Sequence, residues 1–487
     1  MLNICEKIPA KHSNLPVKVL QIGEGNFLRG FADWMIDTAN EQGILGSSIV
    51  LCQPIAAGLG DMINKQKGQY TLIMRGLKDG RATRVVHPVS SVKCCLNPYQ
   101  DFDAVKQVAA SAELKVIISN TTEAGIAYNP DDRLDQTPPS SYPAKLCALL
   151  HHRFTVLGGT AESGLVILPV ELIDRNGDNL KRIVLDYAAQ WNLGDAFTRW
   201  ICDHNCFANT LVDRIVTGFP RDEYDQITHE LGYTDDLLTT SELFHFWVIE
   251  APKEKSRVFP LHLAGLDIVW TDDMTPYRER KVRILNGAHT MSVLAGYLAG
   301  HDTVLQLLQD DLFSKFIKIG IFDEIIPTLD LPKEELTVYA NAVLERFSNP
   351  YIKHNLIDIT LNSTSKFKSR NLPSLLTYIQ RKGCAPKLLT FSLATLCTFY
   401  YGKFEGEIYV GARGNQIKDD QSVLDFFAQV WSGFRADNCY ETLAGKILSN
   451  QQIWGQNLAT DMLVPQLAEA LKSIQEKGIK SALGERL

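Results

Sequence analysis

VKVLQIGEGNFLRGFADWMIDTANEQG (residues 17–43) decides the fold. Its opening is a short apolar run of the buried-strand kind, closed by Gly23 just before a stretch that reads as one helix stopped at Gly43. Such a strand-to-helix turn can aim backbone N–H groups and a helix dipole at a pyrophosphate. The GxGxxG pattern is incomplete, because Leu28 stands where the third glycine belongs and Gly30 comes two residues late. A plain turn is therefore the competing reading. SIVLCQP (residues 48–54) and LKVIISNTT (114–122) are further buried strands, which predicts a doubly wound parallel sheet of the α/β class. Ligands bind such a sheet at its carboxyl edge, so residues 23–29 and 119–123 are expected to flank one cleft.

The end of the second strand departs from the usual dinucleotide pattern. An acid that grips the adenosine ribose commonly follows it, yet SIVLCQPIAAG offers Gln53 and nothing acidic before Asp61. A 2′-phosphate would call for nearby arginine or lysine, and none occurs before Lys65, so NAD is the expected dinucleotide if one binds.

The second half changes style. DLPKEELTVYANAVLERF places Leu336, Tyr339, Val343 and Phe347 at helical spacing, with Pro332 in first-turn position. LPSLLTYIQ, PKLLTFSLATLCTFYYG, SVLDFFAQVW and VPQLAEALKSIQ continue in the same way, which predicts a mainly α-helical second domain. With 487 residues and 45% apolar content the chain can fill two large cores. A net charge of −7 without a long basic run excludes nucleic acid as the obvious partner. The N-terminus lacks a signal-peptide core, and the apolar run GLVILPVELI is short and interrupted by Pro169 and Glu171. A cytoplasmic protein with no membrane partner and reduced thiols is expected. Cys202, His204 and Cys206 suggest a metal, but the second half of a zinc site is missing nearby, so they read as structural.

KVRILNGAH (residues 281–289) carries the chemistry. On an α-helix with Lys281 at 0°, His289 falls at about 80° and Asn286 at about 140°, so one broad face can present an amine, an amide and an imidazole. Interconverting a ketone and a secondary alcohol needs a general acid/base, and a lysine serves only if its pKa falls from about 10.4 to roughly 7 to 8. Arg278, Arg280 and Arg283 are close in sequence and can supply part of that shift, with partial burial supplying the rest. Asn286 can donate to the developing alkoxide, and His289 can orient the lysine or hold a hydroxyl. An ordinary amphipathic helix with a solvated charged face explains the same residues without any chemistry.

The spacing of Lys281, Asn286 and His289 resembles the signature of the polyol-specific long-chain dehydrogenases, the mannitol dehydrogenase family. GEGNFLRGF, QYTLIMR (69–75), SNTTEAG (119–125) and NTLVDRI (209–215) resemble that family's other motifs, in its order, from about residue 17 to 400. ELIDRNG, VDRIVTGFPRDE, PYRERKVRILNGAHT and RFSNPYIKH look closest to its uronate-reducing branch. The resemblance implies a Rossmann-like domain over 1–272 and a helical substrate domain over 273–487. It implies catalysis by Lys281, Asn286 and His289, and dinucleotide contacts from Gly23, Gly25, Asn26, Phe27, Arg29, Gln53, Asn120, Thr122 and Glu123. Hydride transfer at C2 between D-tagaturonate and D-altronate, without a metal, is the implied reaction; a fructuronate reductase or a neutral polyol 2-dehydrogenase is the alternative. The expected partner is then a small hexuronate or hexonate, met by a monomer or a small homo-oligomer.

Substrate contacts are less determined. Lys366, in an SxxK string that recurs at Ser90 to Lys93, resembles a substrate-pocket lysine of the family. A hexuronate needs a cation for its carboxylate, and Lys353 or His354 is a candidate beside Arg346 and Asn349, which otherwise read as a solvated helix cap. Glu171 stands where mannitol-type members have an asparagine, and Arg278 where they have a glutamate, so the pocket is expected to be remodelled for an anion. Asp213 can face substrate, while Arg214 is better read as part of an internal pair. A nucleotide-binding regulatory protein is the rival class; no GxSxG elbow or HExxH motif supports a hydrolase.

Overall fold

The computed structural model describes residues 1–122 and 124–487, without the side chains of residues 436 and 437. The chain forms two compact units, Met1–Met274 and Thr275–Leu487.

In the first unit six strands build one parallel sheet: β1 (Val17–Ile22), β2 (Ser48–Cys52), β3 (Val92–Leu96), β4 (Val116–Ser119), β5 (Val166–Pro169) and β6 (Cys206–Phe207). Their spatial order is β3-β2-β1-β4-β5-β6, every neighbouring pair parallel. This is the dinucleotide-fold order that reverses direction at β1 and β4. Alternation along the strands explains why the sheet is covered on both sides. Val19, Ile49, Leu51, Val116, Ile118, Val166 and Leu168 enter one core with Trp34, Met35 and Ile36 of helix Ala32–Glu41. Leu20, Val50, Ile117 and Ile167 enter the other, with helices Phe102–Ala109, Tyr142–Leu157, Asn176–Gln190 and Asp195–His204. Successive side chains of a strand point to opposite faces, so a continuous apolar run is the signature of a strand buried on both.

The helix expected over residues 27–42 is broken. A single turn, Asn26–Arg29, is followed by Gly30 and Phe31, and the main helix is Ala32–Glu41. A Cβ on Gly30 would lie 2.8 Å from the Val216 side chain, so the chain bends where it is pressed against a strand nearly two hundred residues away. QYTLIMR becomes strand Tyr70–Lys78, but in a separate four-stranded sheet. There it pairs antiparallel with Arg81–Val89 and parallel with Thr239–Ser241, Thr239 opposite Leu72. Asn209–Asp213, Phe246–Glu250 and Ile268–Thr271 form a further three-stranded sheet.

The second unit is helical apart from one hairpin, Gly402–Glu405 with Ile408–Gly411. Its centre is helix Lys387–Phe399, buried on all sides from Leu388 onward and packed against Gly287–Leu298 and Leu463–Lys477. The carboxylate of Glu324 caps it, accepting the Leu388 and Leu389 N–H groups at 2.8 and 2.7 Å. Helix Lys333–Phe347 buries Leu336, Tyr339, Val343 and Phe347, with Pro332 at its N-cap, just outside the first turn. Among the described residues no helix is long and apolar enough to cross a membrane.

Candidate active site

In the first unit the glycine loop lies at the carboxyl ends of β1 and β4. Gly23 has φ +123° and donates to Cys52 O at the end of β2 at 2.9 Å. A Cβ there would fall 2.7 Å from Asn120 O, so only glycine allows the two strand ends to close. Gly25 faces open space, with nothing within 4 Å of a Cβ position. That gap, at the carboxyl edge of the sheet, fits the close approach of a pyrophosphate to backbone N–H groups. The helix following the loop is one turn long, so the loop itself, more than a long helix dipole, is what the geometry offers. Phe27 stacks on Phe31 at 5.1 Å, and Thr122 lies exposed. Glu123 lies outside the described residues.

Several residues expected at ligands are engaged by the protein. Arg29 is buried; its guanidinium donates to Glu24 O, Leu237 O, Thr239 Oγ1 and Asn26 Oδ1, which also engages Asn26. It braces the loop from beneath. Glu171 is also buried: Oε1 accepts the Thr121 N–H and hydroxyl at 3.0 and 3.1 Å, and Oε2 accepts the Ser119 hydroxyl at 3.1 Å. Burial pushes its carboxyl up, opposed by those hydrogen bonds. Its carboxylate clasps the segment carrying Asn120 and Thr122. Gln53 is held by its own loop, accepting Gly60 N–H at 3.0 Å and donating to Ile55 O at 3.2 Å. Asp213 is buried at the end of strand Asn209–Asp213. Arg214 donates to the carbonyls of Gly30 and Glu242 and stacks over Trp34 at 4.2 Å. Burial lowers it to about 9.

In the second unit Lys281 begins an unusual turn. Thr275–Arg280 is α-helical, Lys281–Asn286 is a π-helical turn, and Gly287–Leu298 is α-helical again. The i→i+5 turn holds an extra residue, so everything after it is rotated by about 100° relative to the uniform helix expected from sequence. The face joining Lys281, Asn286 and His289 therefore differs from the one drawn on an ideal wheel. All three are half-buried. The arginines expected to crowd the lysine are partly engaged elsewhere: Arg280 pairs with Glu335 at 2.7 Å and stacks on Tyr339, and Arg283 donates to Ser374 Oγ at 3.1 Å.

His289 is the most informative side chain. Its ring lies 4.1 Å from that of Phe347 and meets His354 edge-on at 4.8 Å. Its Nε2 is shut off from solvent and finds no hydrogen-bond partner among the described residues. Burial holds its pKa well below 6.5, reinforced by His354, Arg346, Arg370 and Lys366. The imidazole is thus neutral at physiological pH, in the field of Arg346, Arg370 and Lys366. Lys366 donates to Ile359 O at 2.8 Å and Arg370 to Thr290 Oγ1 at 3.2 Å; burial first, then Arg370, lowers Lys366. Lys353 lies exposed.

Sequence reasoning missed Arg370 and weighed Arg346 only as a cap. The available signal was spacing: Lys366 and Arg370 are four apart on helix Ser363–Arg370 and so share a face. Asn371 next to them is fully buried, donates to Gly287 O at 3.0 Å and leaves its Oδ1 without a partner among the described residues. Cys202, His204 and Cys206 form no metal-competent group among the described residues. His12, Asp37 and Glu41 bring ligand atoms within 4.8 Å of one another, but Asp37 already accepts from His87, Ser90 and Ser91.

Residues 17–262 match the mannitol dehydrogenase Rossmann domain and residues 273–475 the mannitol dehydrogenase C-terminal domain. Altronate oxidoreductase of Yersinia pestis is 45% identical over 471 residues, 96% of each chain. Those of Pectobacterium atrosepticum and Shigella flexneri are 44% and 43% identical, again over 96% of each chain. Among solved structures, D-sorbitol dehydrogenase in substrate-free form has a TM-score of 0.80 at 22% identity, covering 98% of this chain and 96% of that one. The Pseudomonas fluorescens mannitol 2-dehydrogenase ternary complex with NAD and D-mannitol has a TM-score of 0.67 at 21% identity, covering 99% of each chain.

Proposed function

The chain belongs to the mannitol dehydrogenase family, and from that premise we propose that it is an NAD(H)-dependent oxidoreductase interconverting D-tagaturonate and D-altronate. The observation that carries the choice of an acidic sugar is the group of Arg346, Arg370 and Lys366, whose positive charges bear on the buried His289, while Arg370 and Lys366 reach only neutral oxygens, Thr290 Oγ1 and Ile359 O. The carboxylate of a uronate supplies a charge-assisted partner for such a group. The altronate oxidoreductases at 43–45% identity support the same reading.

In the reductive direction NADH, when bound, supplies the hydride for the C2 ketone carbon. Gly23, Gly25, Asn26, Phe27, Asn120, Thr122 and Glu123 are the residues proposed to hold it, while Arg29 and Gln53 act indirectly by shaping the loops. Protonated Lys281 polarises the ketone and gives its proton to the C2 oxygen; the ammonium does this without a metal. The Asn286 amide donates to the same oxygen as charge develops there. Neutral His289 offers Nε2 to that oxygen or to a neighbouring hydroxyl, and Asp213 is proposed to accept from another hydroxyl. The substrate carboxylate stands at the far end of the six-carbon chain and pairs with Arg370, Lys366 and Arg346, with Lys353 and His354 at the margin of that group. Oxidation reverses the proton path and needs Lys281 neutral. A cytoplasmic setting goes with this reading, and all ten cysteines are free thiols.

The test is a substrate panel. Tagaturonate, fructuronate and fructose are compared with NADH and NADPH side by side; kcat/KM is expected to be highest for tagaturonate with NADH. Equal turnover of fructose would remove the acidic-sugar reading, and preference for fructuronate would move it to the epimeric uronate.

A further inference from the structure

No acid follows β2 before Asp61, but the first loop carries one, Glu24. Gln53, at the position where a ribose-binding acid is common, turns its amide into residues 55–60 and is 4% exposed. Above that same loop lies Glu24, from between the two glycines of the β1 turn and 6% exposed. Its Oε1 accepts the Leu59 N–H at 3.3 Å. A Cβ on Gly58 would fall 2.2 Å from Glu24 Oε1, and one on Gly60 would fall 2.1 Å from Gln53 Oε1. Two glycines thus make room for these two side chains. The carboxylate that closes the end of β2 arrives from β1, one strand over. Each carboxylate oxygen has two lone-pair directions, so the N–H groups of Leu59 and of Glu24 itself leave the carboxylate with accepting capacity. The segment following β2 carries no lysine or arginine before Lys65, and the buried Lys145 directs its amine to Ser140 O at 2.6 Å.

We propose that Glu24 takes over the ribose-reading role: its carboxylate accepts the 2′-hydroxyl of the adenosine ribose and repels a 2′-phosphate, which selects NAD(H) over NADP(H). This assignment rests on the reading of the chain as a dinucleotide-dependent dehydrogenase. A phosphate brought against the buried carboxylate meets like charge, and the neighbouring Arg29 has its guanidinium engaged by Glu24 O, Leu237 O, Thr239 Oγ1 and Asn26 Oδ1, whereas a hydroxyl meets a charge-assisted acceptor.

Direct binding tests it without turnover. NADH, NADPH and 2′-deoxyadenosine NADH are titrated into wild type, Glu24→Gln and Glu24→Ala, following cofactor fluorescence, with melting curves to check folding. Wild type is expected to bind NADH at least about ten-fold more tightly than either other dinucleotide, in line with one charge-assisted hydrogen bond. In Glu24→Gln the NADH advantage over the deoxy analogue shrinks, and NADPH binding improves because the negative charge is gone. A folded Glu24→Gln with unchanged NADH:NADPH and NADH:deoxy ratios overturns the assignment alone. Equal wild-type affinity for NADH and its 2′-deoxy analogue also overturns it, whatever the variants do. A wild-type preference for NADPH overturns both this assignment and the NAD-dependent reading.

Discussion

The imidazole of His289 lies flat against the ring of Phe347, their centroids 4.1 Å apart and their planes 9° from parallel. That stack covers one face of the imidazole and, with the surrounding burial, keeps it neutral below its ordinary value of 6.5. Phe347→Leu retains apolar bulk but loses the flat cover and admits water. The His289 pKa is then expected to rise toward its ordinary value, so the variant protonates this residue at a pH where wild type does not. The acidic limb of the kcat/KM profile for tagaturonate should move to higher pH; coincident acid limbs in wild type and variant would dissociate the stack from catalysis.

Removing the amine should stop chemistry and leave the dinucleotide in place. Lys281→Ala is expected to lose about 10²- to 10⁴-fold in kcat, the range of general acid/base contributions. NADH affinity, measured by fluorescence titration, should stay near wild type.

Under the proposed function, Arg370 is expected to separate acidic from neutral sugars. Arg370→Met removes a cation from the group around His289, and a hydrogen bond to a charged group contributes about 1.5–3 kcal/mol. The kcat/KM for tagaturonate is expected to fall about 10- to 150-fold, with fructose turnover changed far less. A uniform fall for both sugars would mean that the arginine only supports Thr290, to which it donates at 3.2 Å.

Glu171 holds the loop of Ser119 and Thr121, where the proposed function places the dinucleotide. In Glu171→Ala the buried Thr121 N–H loses its acceptor, at a cost of about 1–3 kcal/mol. A lower Tm and weaker NADH binding are expected, with no change in the ratio of tagaturonate to fructose activity.

Asp33 makes the fold sensitive to pH. It is fully buried beneath Tyr70, whose hydroxyl donates to it at 3.1 Å, and burial raises it from 3.8 to about 7. A carboxyl raised in the folded state favours folding at low pH and loses that advantage as pH climbs from the unfolded to the folded value. Asp33→Asn should therefore stabilise the protein increasingly between pH 4 and 7 and level off above that, by roughly 4 kcal/mol at most from a three-unit gap. Denaturant unfolding at pH 4, 5.5 and 7.5 measures it; a constant difference across that series would contradict the assignment.

The strands of the large sheet were legible because β2 and β4 are apolar but for a terminal serine and β1 is broken only by Lys18 and Gln21, and a strand covered on both faces can be written in few other ways. The break after Arg29 was not, since it depends on Val216 meeting Gly30. Nor was the π turn at Lys281, because i→i+4 and i→i+5 bonding accept the same residue types. Arg29 and Glu171 illustrate the general difficulty at sites. A charged residue beside a ligand motif can also hold the protein's own chain, and the sequence does not show those distant partners, here Leu237 and Thr239 for one and Ser119 and Thr121 for the other. Arg370 was hidden for the opposite reason, as SKFKSR resembles a solvated helix face.

The parallel pairing of Thr239–Ser241 with Leu72–Met74 sets a timetable for the nascent chain. At ribosomal speeds the two partners emerge roughly 10 to 30 seconds apart, and over that interval the edge bearing Leu72 and Ile73 waits with its backbone groups open. Contacts of such long range also slow spontaneous refolding, while the helices of the second unit draw on nearer neighbours. The exposed waiting edge is where a chaperone has most to protect during biosynthesis, and where aggregation should begin when expression outpaces folding.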